Sequence, residues 1–154
     1  MLTKVHLKQF KNFKDASLAL GPLTVLVGTN ASGKSNVRDA FRFLHGIGRG
    51  YRLAEIIGEK WGEGGVLQWR GIRGGIREAA YYHGRTFTLT AEFAFDRLSQ
   101  VIYTIEVEPD AETLGARVVR ESLYSGDRQV AKIDEARVRR GVGARQLGVA
   151  SGEQ

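Results

Sequence analysis

Polar and apolar residues alternate from the first turn of the chain. Between Thr3 and Phe10, Val5 and Leu7 fall on one face and Lys4, His6 and Lys8 on the other, which predicts a half-buried strand. Residues Phe10–Asp15 then form a polar turn with two aromatic anchors, Phe10 and Phe13, and Ser17–Leu20 is a second short strand. After the break at Gly21-Pro22 the pattern changes. Leu23-Thr24-Val25-Leu26-Val27 is a short apolar run of strand type, read as a buried strand, and Val37, Ala40, Phe41 and Leu44 recur at helical spacing. A short helical turn is expected over Leu53–Ile57. Residues 58–77 hold seven glycines, three arginines and two tryptophans, which predicts a loop-rich insertion with Trp61 and Trp69 as core anchors. Alternation resumes over Ile76–Tyr82, where a sheet is expected to begin. It is regular from Thr86: Phe87, Leu89, Ala91, Phe93 and Phe95 share a face, with Thr86, Thr88, Thr90 and Glu92 opposite. After a turn at 96–100, Val101, Tyr103, Ile105 and Val107 repeat it. Val118–Ser125 and Arg128–Asp134 form a further pair joined at Gly126-Asp127, a hairpin signal. The whole reads as an antiparallel meander with one wet face. Residues 135–154 carry little periodicity and are expected to be a disordered tail.

The candidate chemistry lies between the apolar run and the first helix. Gly28-Thr29-Asn30-Ala31-Ser32-Gly33-Lys34-Ser35 has the spacing G-x-x-x-x-G-K-S. This phosphate-binding loop requires a strand before it and a helix after it. Gly28 and Gly33 let the backbone turn tightly and approach an anion with no Cβ in the way. Backbone N–H groups and the helix N-terminus then supply positive potential. Lys34 is placed to reach the β- and γ-phosphates, and the Ser35 hydroxyl to ligate Mg²⁺.

Composition narrows the classes. At 154 residues, 42% of them hydrophobic, the chain has about one domain's length and enough apolar mass for a core. No apolar run nears the ~20 residues of a membrane span. There is no cysteine, hence no disulfide framework or thiolate metal site. These features fit a cytoplasmic protein. The net charge of +6 is uneven. Residues 1–90 carry 14 Lys/Arg against 6 Asp/Glu, whereas residues 91–135 carry 5 against 10. The basic half holds the loop, as a polyphosphate site favours, and it can also attract nucleic acid. An ordinary solvated Lys/Arg face is the alternative. Arg with Gly and Trp in the insertion is likewise compatible with single-stranded nucleic acid, beside the plainer reading of a glycine-rich connection.

Lys8-Gln9-Phe10-Lys11-Asn12-Phe13-Lys14, Gly21–Gly28, the loop with Asn36 after it, and Asp39-Ala40-Phe41-Arg42-Phe43-Leu44 together resemble one group. They are similar to the N-terminal part of ABC-type ATPase heads of the SMC, RecF and OLD-nuclease kind, an opening many AAA-family ATPases share. The resemblance covers residues 1–46, and Asn30 and Asn36 accompany the loop in that group. Thr29 and Ala31 depart from its usual Pro or Glu, and Gly; both are small. The resemblance implies an α/β fold: the N-terminal lobe of a P-loop NTPase with an antiparallel β subdomain, incomplete on its own. The implied division is a core over 1–57, the insertion over 58–76, the β subdomain over 77–134 and the tail. It implies ATP and Mg²⁺ as cofactors, with contacts from Gly28 to Asn36. Asn12 and Lys14 would lie near the nucleotide, unless the 10–15 turn only packs its aromatics. The implied partners are a C-terminal lobe of the same head, a second head as a homodimer, and DNA, in repair, chromosome or phage-defence machinery.

Hydrolysis also needs an acidic residue on a second apolar strand. Asp96 follows a one-faced strand, and Glu106 and Glu108 lie on a solvent face, so none is expected to serve. Leu123–Gln129 imitates an ABC signature loop but lies in a hairpin; Ala150–Gln154 imitates it with no helix following. Two functions stay open: an ATPase completed by other parts, inactive alone, or a non-catalytic nucleotide- or nucleic-acid-binding module.

Overall fold

The computed structural model describes residues 1–95 and 98–134. A long first strand, β1 (Leu2–Phe10), turns at Lys11-Asn12 into β2 (Phe13–Ala19). The tight turn uses left-handed backbone at Gln9 and Lys11 (φ 55° and 53°). The candidate loop leads into helix α1 (Lys34–Gly48), followed by a short α2 (Leu53–Ile57). A small hairpin, β3 (Glu59–Trp61) with β4 (Leu67–Arg70), and two 3₁₀ turns at Gly75–Glu78 and Tyr81–His83 precede the meander. That meander is β5 (Phe87–Phe95), β6 (Leu98–Asp110), β7 (Gly115–Ser125) and β8 (Arg128–Asp134).

The six long strands form one antiparallel sheet in the order β2-β1-β5-β6-β7-β8. The first strand therefore pairs on one side with its hairpin mate and on the other with β5, more than 75 residues on in sequence (Val5 opposite Ala91, Leu7 opposite Leu89). Alternation sorts the sheet's faces. Val5, Leu7, Phe87, Leu89, Ile105 and Val107 share one buried core with Ala40 and Phe43 of α1, whose inner stripe is Asp39, Ala40, Phe43 and Gly46. Phe87 is the keystone: Phe10 lies 5.2 Å from it and Phe43 meets it edge-on at 5.5 Å. All three rings are fully buried, each worth about 1.5–3 kcal/mol by burial. The outer face is polar and cross-linked, with Lys4 to Glu92 at 3.3 Å and His6 to Asp15 at 2.7 Å. The mixed α/β architecture with an antiparallel sheet is thus as expected.

Three expectations are corrected. Leu23–Val27 is not a buried strand: the segment has no ladder partner among the described residues, and Leu23, Val25 and Val27 are 85, 70 and 88% exposed. An apolar run becomes a strand only where a neighbouring segment takes its N–H and C=O groups, and none of the described strands pairs with this one. Trp61 is not a core anchor. It is 57% exposed, its indole N–H donating to Glu59, while Trp69 across the hairpin is half-buried. Ile76–Tyr82 forms 3₁₀ turns rather than a strand, because Gly74 and Gly75 enter it with left-handed backbone. The insertion itself carries the β3–β4 hairpin, which its glycine content concealed.

Among the described residues, no helix is long and apolar enough to cross a membrane.

Candidate functional site

The loop from Gly28 to Ser35 stands at the N-terminus of α1, and its exposed arm runs from Gly28 to Ser32. Thr29 and Asn30 lie on that arm, and Ala31 turns it with left-handed backbone (φ 66°). Gly33 closes it at φ 94°. At this φ glycine is the residue without steric cost, and here space demands it as well. A Cβ on Gly33 would stand 2.9 Å from the Phe13 ring and 3.1 Å from the Asn12 amide. The β1–β2 turn is thereby pressed against the loop's last glycine.

α1 begins with no side-chain cap and no acidic residue in its first turn. Its leading N–H groups and its dipole thus present uncompensated positive potential. The Lys34 ammonium curls back into the loop, donating to the carbonyls of Gly28 (2.5 Å) and Thr29 (2.6 Å) and to Ser32 Oγ (3.3 Å). A cation held by loop carbonyls is available to a better acceptor, and a phosphate oxygen makes a stronger, charge-assisted bond. Ser35 follows Lys34 directly and is half-buried in the first turn of α1.

Beside the loop lies a polar network that the sequence did not disclose. Asn36 Nδ2 donates to Asn12 Oδ1 at 2.7 Å, which joins the start of α1 to the β1–β2 turn. Arg73, from the glycine-rich insertion, donates through Nη2 to Asn36 Oδ1 at 2.9 Å and through Nε to Asp39 Oδ2 at 3.2 Å. Asp39 is fully buried. The Lys11 ammonium lies 3.6 Å from the same Asp39 oxygen and also donates to the Arg73 carbonyl. Burial pulls the Lys11 ammonium below its usual range, against the opposing pull of Asp39. Asp39 Oδ1 has no hydrogen-bond partner. The network ties three separate stretches, the 11–12 turn, α1 and the insertion, into one scaffold behind the loop. Asp39 could have been noticed as a carboxylate in phase with Ala40 and Phe43. Lys11 and Arg73 gave no local sign, since their partners are 28 and 34 residues away. Lys14 is exposed on β2 and joins no ion pair among the described residues.

The acidic candidates are engaged elsewhere. Glu108 pairs with Arg85 at 2.9 Å and with Arg117, and the Arg85 hydrogen bond in particular holds its carboxyl below the usual range. Glu106 accepts from Thr86 at 3.0 Å. Asp96 and residues 150–154 lie outside the described residues, and 123–129 is hairpin as expected. No group of three or more His, Cys, Asp or Glu is gathered as a metal site among the described residues. A Mg²⁺ ion that keeps most of its water and takes phosphate oxygens would need few protein donors, such as a single hydroxyl.

A family model described as "AAA domain, putative AbiEii toxin, Type IV TA system" matches residues 23–147. Over 94 residues the chain is 36% identical to a DNA replication and repair protein RecF of Anaeromyxobacter sp. (strain K), covering 57% of this chain and 25% of that protein. It is 30% identical over 112 residues to RecF of Desulfitobacterium hafniense, covering 67% of this chain and 30% of that one. It is also 43% identical over 63 residues to the chromosome partition protein Smc of Halothermothrix orenii, covering 36% and 5%. A solved structure from work on "ATP-driven dimerization and DNA stimulated activation of SMC ATPases" overlays 84% of this chain and 72% of that one, with a TM-score of 0.46 and 21% identity. The chain thus spans about a quarter to a third of these RecF proteins.

Proposed function

Because the chain belongs to the AAA-domain family whose model matches residues 23–147, we propose that it binds ATP with Mg²⁺ at Gly28–Asn36 as the N-terminal part of an ABC-type ATPase head. The observation that carries this reading is the Lys34 ammonium, held among the described residues by the carbonyls and hydroxyl of its own loop at the uncapped start of α1. On binding, Lys34 exchanges Gly28 O and Thr29 O for phosphate oxygens, and the backbone N–H groups of residues 32–35 add their dipoles. Ser35 offers its hydroxyl to Mg²⁺, which when bound neutralises phosphate charge. Asn12, fixed by Asn36, and Lys14 border the nucleotide on the β1–β2 side.

Hydrolysis requires a group to orient water, and Glu106 and Glu108 are committed to other contacts. We therefore assign that step to a C-terminal lobe of the same head and to a second copy across the nucleotide, with the chain alone supplying binding. The exposed Leu23–Val27 supports such a lobe. An apolar run with an unused ladder beside a phosphate loop is a strand awaiting neighbours. Action on DNA in repair, chromosome or defence machinery belongs to the same reading, from the RecF and Smc likenesses. The engaged carboxylates equally favour a second reading, a nucleotide-binding module without turnover.

Titration of a fluorescent ATP analogue at rising Mg²⁺ tests the site. Affinity is expected to climb with Mg²⁺ in the native chain and to climb much less in Ser35→Ala. The same Mg²⁺ dependence in both removes Ser35 from the ion.

A further inference from the structure

A second cluster of cations lies further along α1 from the phosphate loop. Arg38, Arg42 and His45 recur at helical spacing along α1, beginning one turn beyond Lys34. They border a cleft of about 450 Å³ that is also lined by Phe41 and by Trp69 and Arg70 of β4. No carboxylate lines it. Among the described residues neither Arg38 nor Arg70 forms an ion pair, although the chain pairs cations elsewhere. Like charges gathered without counter-charge are unfavourable by themselves and favourable to an anion.

The aromatic wall is built to stay in place. The Trp69 indole N–H donates to the Ile56 carbonyl at 3.4 Å, and its ring is met edge-on by His45 at 5.5 Å and by Tyr51 at 5.3 Å. Arg42 donates to the Gly71 carbonyl at 3.2 Å, which holds its guanidinium beside β4. The cleft therefore offers a fixed aromatic surface between guanidinium groups. That pairing suits a ligand that alternates flat rings with phosphates, and its volume accommodates one nucleotide at a time.

We propose that this cleft binds single-stranded nucleic acid, with a base against Trp69 and flanking phosphates on Arg38 and Arg70. The proposal gives a place to the DNA contact of the preceding reading and does not depend on ATP binding at Lys34.

The test is fluorescence anisotropy of a labelled oligothymidylate of about eight nucleotides, a length within the range such sites cover, added to the whole chain. The double variant Arg38→Ala/Arg70→Ala is expected to bind at least about tenfold more weakly, and its salt slope to fall by about 0.7 for each phosphate no longer neutralised. A Trp61→Phe chain keeps Trp69 as its one tryptophan, and the oligonucleotide should quench that fluorescence; this arm needs no change in the cleft. Lys34→Ala should bind the oligonucleotide as the native chain does. Unchanged affinity in the double variant, or no quenching of Trp69, overturns the proposal. So does loss of binding in Lys34→Ala, which would place the oligonucleotide on the phosphate loop. Equal affinity for duplex DNA, full competition by thymidine monophosphate at equal nucleotide concentration, or equal displacement by polyglutamate would likewise overturn it, in favour of backbone contact, a free nucleotide or an acidic protein.

Discussion

Replacing Gly33 by alanine tests how the loop is held, and the structure separates the cost into two parts. The backbone at Gly33 is left-handed, φ 94°, which costs an L-residue about 1–2 kcal/mol. The new methyl would also meet the Phe13 ring at 2.9 Å and the Asn12 amide at 3.1 Å, and forcing it in costs about 1–3 kcal/mol more. Gly64 isolates the first part. It too has positive φ, 76°, but a Cβ there meets nothing within 4 Å. Gly33→Ala should therefore lose about 2–5 kcal/mol and Gly64→Ala only about 1–2 kcal/mol. Guanidinium denaturation followed by tryptophan fluorescence measures both, with m unchanged if the transition stays two-state. Equal losses in the two variants would mean that the β1–β2 turn does not lean on the loop, and the packing described here would be wrong.

Asp39→Ala leaves the Lys11 ammonium buried with one counter-charge fewer and should cost about 3–5 kcal/mol. Arg73→Ala, on a side chain half exposed, should cost about 1 kcal/mol; the reverse ranking in urea melts would contradict the scaffold. Glu108 has its folded pKa lowered by Arg85 and Arg117, so its contribution is present above the ordinary value of 4.5 and lost as pH falls below it. Stability measured from pH 6 to about 3 should fall, and Glu108→Gln should make that fall shallower; an identical slope would show that the two arginines do not stabilise the carboxylate.

How much of this can be read from the residues follows the range of the forces. The meander of β5 to β8 is legible because alternation and the Gly126-Asp127 turn are local, and Gly126 does take left-handed backbone (φ 55°). Helix α1 is legible for the same reason. Leu23–Val27 misleads because a local pattern cannot show whether a run has a pairing partner, and among the described residues this one has none. The β3–β4 hairpin is hidden by flanking glycines and by a three-residue strand. The loop's spelling is plain, but its support is not. Asp39, Lys11 and Arg73 meet only after the chain has folded, and the sequence offers no more than a misplaced-looking carboxylate on an apolar helix stripe. The cleft beside Trp69 is foreshadowed only by composition, as arginine and tryptophan among glycines.

The central claim is that Lys34 waits for a phosphate. Isothermal titration of the native chain and of Lys34→Ala with Mg²⁺-ATP measures this directly. Lys34 is exposed to the loop and not packed in the core, so the variant should keep the native denaturation midpoint. Removing one charge-assisted hydrogen bond of about 1.5–3 kcal/mol should weaken binding about ten- to hundredfold. Equal affinity in two equally stable proteins would contradict the account.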